Sequence, residues 1–268
     1  MILAVDIGNT NIVFGLYENN PNNINLIHKF RIISDNKKNP DDYAIDIVEA
    51  LINKRIDALT LSGCAIASVV PSLTDIIQIA ISKFFAHKIY VIKQKDIKIK
   101  IDTNIKNKDE IGVDRLVNAY AGFREFGDNL IIVDFGTATT FDIVANSGIY
   151  MGGVIAPGIN LSLRALHEMT AKLPKIYIHK QKNVVGKNTS EAMNSGVYYG
   201  YISLCEGIIK RIESELQIQT KTIVTGGLSE IFKNELNIES QKNDLTIDGI
   251  KIIYDQNINN QKNNLNGF

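Results

Sequence analysis

Two aspartates in this chain stand in nearly the same surroundings. Ile2-Leu3-Ala4-Val5-Asp6-Ile7-Gly8-Asn9-Thr10-Asn11 runs on into Ile12-Val13-Phe14, and Leu130-Ile131-Ile132-Val133-Asp134-Phe135-Gly136-Thr137-Ala138-Thr139-Thr140 runs on into Phe141-Asp142-Ile143-Val144. An apolar run rich in branched residues and bounded by a glycine turn predicts a buried strand. An ionised carboxylate at the end of such a strand is costly unless it is paired, hydrogen-bonded or bound to a cation. Gly8 and Gly136 let the backbone turn tightly and bring N–H groups towards an anion, and Thr10, Asn11, Thr137 and Thr139 add short donors. Such a set suits a metal–phosphate ligand, the carboxylate meeting the cation and the turn meeting the phosphate oxygens. Either copy alone also reads as a hairpin whose Asp caps its own turn. Two copies, about half a chain apart, favour the ligand reading and predict two related halves.

Gly112-Val113-Asp114-Arg115 is the third place with chemistry to offer. One reading is an Asp helix cap followed by a solvated Arg. The other makes Asp114 a general base for a hydroxyl proton, with Arg115 holding an anionic substrate in its bidentate fork. Gly186-Lys187-Asn188-Thr189-Ser190 precedes a strongly helical stretch. Thr189 or Ser190 is a plain N-cap there, or its hydroxyl also meets a polar ligand at the helix start. Gly226-Gly227 either admits a flat nucleotide base or is simply a turn. Gly152-Gly153 with Pro157-Gly158 either closes over a ligand or is an ordinary connection. Tyr198, Tyr199 and Tyr201 read as helix packing or a subunit contact.

The elements that must position these residues alternate. Leu26 to Ile33 continues the first hairpin as a strand. Pro40-Asp41-Asp42 opens a helix through Ile52, with Pro and acids in its first turn. Residues 63–70 form a buried strand, 73–85 a helix and 89–92 a short strand. Lys93 to Glu110 reads as a polar connector, and a helix resumes around Gly112 to about Phe126. In the second half, residues 148–158 give a strand and glycine loop, followed by helices through Met169 and from Thr189 to Leu216. A strand over 222–225, a helix, and a last strand over Lys251–Tyr254 complete it. The tail, 256–268, is rich in Asn and Gln and reads as frayed. Strands followed by helices in two halves predict an α/β protein, divided at 1–115 and 116–255.

The 29 basic and 29 acidic residues among 268 cancel, which leaves no electrostatic footprint for nucleic acid or an anionic membrane. No apolar stretch approaches the ~20 residues of a membrane span, and the start lacks the pattern of a secretory signal. Cys64 and Cys205 stand apart without a CxxC context, as buried thiols of a reducing, cytoplasmic compartment would. His28, His87, His167 and His179 show no metal-ligand spacing. The P-loop, the dinucleotide fingerprint, the GxSxG elbow and the protein-kinase set are all missing.

Taken together, these motifs resemble those of type III pantothenate kinases, a family of the acetate-and-sugar-kinase, Hsp70 and actin superfamily. The likeness runs to about residue 255. It rests on Asp6–Thr10, Asp134–Ala138, Gly112–Arg115, the 152–158 glycine region, Thr189 and Thr225-Gly226-Gly227 in that family's order. It implies two ribonuclease-H-like halves with mixed sheets flanked by helices. It also implies transfer of a phosphoryl group from ATP to pantothenate, giving 4′-phosphopantothenate, the first step towards coenzyme A. Asp6, Ile7, Gly8, Asn9, Thr10, Asn11, Ile12, Val13 and Thr137 are then expected at ATP, with Asp6 near Mg2+. Asp114 is expected as proton acceptor, and Gly112, Val113, Asp114, Arg115 and Thr189 at pantothenate. Asp134 is expected at a K+ or NH4+ ion, and the protein is expected to be a homodimer. Where the family carries a Tyr and a Pro before the Gly-x-Asp-Arg motif, this chain has Ile105 and Lys108, removing an aromatic wall from the implied substrate pocket. Rival expectations are a kinase for another small molecule, or a non-catalytic transcription accessory protein.

Overall fold

The structure is a computed structural model that describes residues 1–21 and 23–265, with side chains through residue 258. The chain divides into two compact units. The first holds residues 1–99, 106–121 and the segment from Leu245 onward, and the second holds 100–105 and 122–244.

The first unit begins with an antiparallel meander, β1 (Ile2–Ile7), β2 (Asn11–Tyr17) and β3 (Leu26–Ile33). Helix α1 (Pro40–Asn53) then leads to β4 (Gly63–Ser68), and α2 (Pro71–Ser82) to β5 (Ile89–Val91). The sheet order is β3-β2-β1-β4-β5, with β4 parallel to both β1 and β5. Helix α1 starts where the sequence demands: Asn39 accepts from the Asp41 and Asp42 N–H groups, Asp42 reaches back to the Asn39 N–H, and Pro40 presets the first turn. Its buried stripe, Tyr43, Ala44, Ile47 and Leu51, packs with Leu73, Ile77, Ala80 and Ile81 of α2 on Leu3, Val5 and Ile7 of β1.

In the second unit β6 (Lys100–Ile101) is a two-residue strand, and β7 (Leu130–Phe135), β8 (Ala138–Val144) and β9 (Ile149–Pro157) repeat the meander. Helix α3 (Val113–Phe126) precedes β7, and the boundary between the units falls within it, after Ala121. Helices α4 (Ile159–Glu168) and α5 (Thr189–Leu216) are followed by β10 (Lys221–Thr225) and β11 (Ser240–Gln241). The sheet order is β11-β10-β7-β8-β9-β6. Without the edge strand β6 this is the first unit's order over again. The likeness extends to burial, since β1 and β7 share one pattern along the strand, as do β2 and β8. Ile131, Val133 and Phe135 face the core beside α4 and α5, as Leu3, Val5 and Ile7 face α1 and α2. The predicted α/β class and the two mixed sheets flanked by helices hold.

Four expectations give way. Lys251–Tyr254 is not a strand but lies within α6 (Leu245–Leu265), which packs on β1, β2 and β4. The buried Ile247, Ile250 and Ile253 recur every three residues, a helical period that the β-branched content obscured. Glycines fit this helix to its neighbours: a Cβ on Gly63 would lie 2.1 Å from the Tyr254 hydroxyl, and one on Gly249 2.6 Å from Val117. Helix α6 thus groups residues 245–255 with the first unit, as α3 does residues 116–121, so the division differs from that drawn at 115/116. Among the described residues of 256–268, those to Leu265 continue the helix, where Tyr120 donates to Gln256 and Asn257 to the Asp96 carbonyl. Finally, the helix expected after Gly227 is only a short 3-10 turn, Ser229–Phe232.

Candidate active site

In the first unit, β1 delivers Asp6 to its C-terminal end, on the face opposite Leu3, Val5 and Ile7. The turn that follows is closed by the Gly8 N–H donating to the Asn11 carbonyl at 3.1 Å. It is pinned from the end of β3, where Ser34 donates its N–H to the Thr10 carbonyl (3.0 Å) and its hydroxyl to the Gly8 carbonyl (2.7 Å). Asn9 and Thr10 are left exposed at the tip.

Asp114 comes to the same end of this sheet. The Val69 N–H donates to the Ile7 carbonyl at 3.1 Å. A Cβ on Gly112 would lie 3.5 Å from Val69 Cγ1 and only 2.4 Å from Asp114 Oδ1. Gly112 is therefore the residue that leaves room for this carboxylate beside the end of β4, the neighbour of β1. Asp114 lies inside the first turn of α3 and accepts from the Arg115 N–H at 2.8 Å, so the plain cap reading fails. Burial pushes its pKa above the ordinary carboxylate value, outweighing the opposing pull of the Arg115 N–H and guanidinium charge. A carboxyl with a raised pKa is a stronger proton acceptor once ionised.

In the second unit, β7 delivers Asp134 in the same way, and the Gly136 N–H closes its turn on the Ala138 carbonyl at 3.1 Å. Gly226, after β10, is a glycine for a physical reason too. Its φ is +91°, and a Cβ there would lie 2.4 Å from Asp134 Oδ1. Bare backbone passes against the carboxylate. Thr137 is exposed on the turn, and α4 starts against it: a Cβ on Gly158 would lie 2.0 Å from the Thr137 carbonyl.

Thr189 is exposed as the first residue of α5 and is not the cap. Asn188 caps, accepting from the Glu191 N–H at 2.9 Å, while Glu191 accepts from the Lys187 N–H at 2.7 Å. The Thr189 hydroxyl is spared that task. The three tyrosines follow the packing reading. Tyr198 stacks on Phe232, Tyr199 donates to the Gln181 carbonyl (2.8 Å) and Tyr201 to the Pro157 carbonyl (2.6 Å). Gly152-Gly153 lies within strand β9, at a bulge where Gly152 takes φ +113°. The nearest atom to a Cβ on Gly152 would be Ile105 Cδ1, at 4.0 Å. Cys64 and Cys205 are buried and unbridged; burial pushes both thiols up, Cys205 to about 12.

Among the described residues no three His, Cys, Asp or Glu side chains cluster as a metal cage. One carboxylate per turn nonetheless fits a divalent ion that arrives with a nucleotide, because Mg2+ takes one or two carboxylates and completes its shell with phosphate oxygens and water. The glycine-lined carboxylate of Asp134 fits a cation that asks only for oxygen. Sequence reasoning passed over Asp142, a fully buried carboxylate on β8; its signal was an acid set between the apolar Phe141 and Ile143 in mid-strand.

The family model for type III pantothenate kinases matches residues 2–211. The chain belongs to that family. The type III pantothenate kinase of Persephonella marina is 45% identical over 95% of this chain and 98% of its own length. That of Geotalea daltonii is 40% identical over 96% of this chain and 99% of its own length. Among solved structures, a Campylobacter jejuni protein described as a Baf family transcriptional activator superposes with a TM-score of 0.61 at 21% identity, covering 96% of this chain and 99% of that one. Component A of the Acidaminococcus fermentans (R)-2-hydroxyglutaryl-CoA dehydratase gives 0.52 at 12% identity, over 94% and 96%. These two likenesses are of fold alone. Membership of the type III pantothenate kinase family makes this chain an enzyme, a nucleotide-using kinase.

Proposed function

We propose that the protein transfers the γ-phosphoryl group of ATP to the 4′-hydroxyl of pantothenate, giving 4′-phosphopantothenate and ADP on the way to coenzyme A. The observation that carries the reading is Asp114. It is a half-buried carboxyl whose pKa desolvation raises, given room by Gly112 at the strand end that neighbours the Asp6 turn.

The substrate hydroxyl oxygen forms a bond to phosphorus as the bond from phosphorus to the β-bridging oxygen breaks, and Asp114 takes the hydroxyl proton. Arg115 holds the pantothenate carboxylate, for which its planar fork is suited. Gly112 and Val113 keep that segment close to the substrate, and the Thr189 hydroxyl, spared from capping, donates to it. Asp6 to Val13 and Thr137 hold ATP. Bound Mg2+, near Asp6, and a K+ or NH4+ ion at Asp134 supply neutralisation of the phosphate charge, on which phosphoryl transfer chiefly depends.

The protein works as a cytoplasmic homodimer. Met169 just after α4 and Tyr177, Val184 and Val185 on the segment beyond it are exposed, more apolar surface than a solvated loop needs. Product identification tests the substrate: with ATP and Mg2+, pantothenate should yield a compound heavier by one phosphoryl group, phosphorylated on its primary hydroxyl. Phosphorylation of sugars or other hydroxy acids instead of pantothenate would refute it.

A further inference from the structure

Asp142 is a buried carboxylate that this mechanism leaves unused. Its two oxygens are divided between two hydroxyls on the same sheet: Tyr150 donates to Oδ1 at 2.8 Å and Thr140 Oγ1 donates to Oδ2 at 3.2 Å. Thr140 and Asp142 are two apart on β8, so their side chains share one face of the strand. Antiparallel pairing sets Thr140 directly opposite Asp134. Opposed residues point the same way, with Cβ atoms about 4.5–5.5 Å apart. Thr140 and Asp134 therefore stand side by side.

A hydroxyl has one proton to give and two lone pairs to offer. With its proton committed to Asp142, Thr140 Oγ1 turns only lone pairs towards its neighbour. An ionised Asp134 likewise offers only lone pairs. Two acceptors side by side are satisfied by a positive charge between them, and the pair suits K+ and NH4+ alike. The first is held by oxygen ligands, the second by donating hydrogen bonds to them.

We propose that Asp142, together with Tyr150, is a positioning residue that fixes the Thr140 hydroxyl, and that Thr140 Oγ1 is a second oxygen ligand beside Asp134 for the monovalent cation. The proposal rests on the reading of Asp134 as the cation site. Without the Asp142 acceptor, the Thr140 O–H turns to the Asp134 carboxylate and competes with the ion.

The test is a KCl titration at constant ionic strength, with NaCl as the balancing salt, in the presence of MgADP. Melting temperature is read first, and potassium activation of turnover second. In Thr140→Val the half-saturating potassium concentration should rise at least tenfold by both readouts. Thr140→Ser, which keeps the oxygen, should stay within about twofold of wild type, and Asp142→Asn should weaken potassium in the same direction as Thr140→Val. Should Asp142→Asn fail to fold, the Val and Ser pair at Thr140 decides. If Thr140→Val titrates like wild type while Asp134→Asn loses its response, the second ligand is refuted and the Asp134 site stands. An Asp134→Asn variant that titrates like wild type, or a wild type indifferent to potassium, overturns both.

Discussion

Asp114 carries opposite demands. Burial that sharpens it as a base also makes its ionised form costly to fold around, because the charge loses water that the unfolded chain would restore. With the folded-state pKa raised, stability is fully present below the unfolded carboxylate value and is lost as pH rises through the folded value. Asp114→Asn should therefore lower turnover by about 10²–10⁴-fold, the range for loss of a general base. At neutral pH it should melt above wild type. That difference should close as the pH is brought down to the ordinary carboxylate range. Melting curves at several pH values check this, and a variant less stable than wild type at neutral pH would contradict the burial account. By the same logic, kcat/KM should rise with pH through a value above that of an ordinary Asp. Gly112→Ala tests the geometry separately. A methyl group 2.4 Å from Asp114 Oδ1 must displace the carboxylate, so kcat should fall by at least tenfold while the fold survives. Gly226→Ala faces both positive φ and the Asp134 carboxylate. It should cost about 1–3 kcal/mol of stability, read from urea unfolding, along with the response to potassium.

At the scale of elements, local chemistry made the first hairpin, α1 and α5 legible. Asn39, Pro40 and Asp42 form a capping box that can be read in the chain, and the strand–Asp–Gly–turn pattern returns twice. The last helix was not legible in the same way. Its Ile-rich run suits a strand by composition, and only packing on β1, β2 and β4 decides for a helix. Ile250, fully buried there, gives the check. Ile250→Ala should cost about 2–5 kcal/mol, as buried large-to-small changes do, in a denaturant titration. A cost below about 0.5 kcal/mol would mean that α6 does not cover that sheet. Asp142 escaped notice for a related reason: strand alternation gives its face, but only the contacts with Tyr150 and Thr140 show that it has work to do.

For the whole molecule, the repeated hairpin foretold two related halves, and the second sheet follows the strand order of the first except for the added β6. Where the chain is divided could not be read, because α6 returns to the first unit after the whole second unit has been built. The homodimer is tested at this scale. Val184→Asp with Val185→Asp should halve the mass measured by light scattering and leave the fold intact, and an unchanged mass would place any subunit contact elsewhere. The central claim is that a pantothenate kinase works through Asp114. It is met most directly by measuring pantothenate-dependent ADP release from wild type and Asp114→Asn side by side, with ATP, Mg2+ and potassium. Wild-type release that needs pantothenate, and its loss by at least a hundredfold in the variant, is the result expected. Release indifferent to pantothenate, or a variant as fast as wild type, would contradict the account.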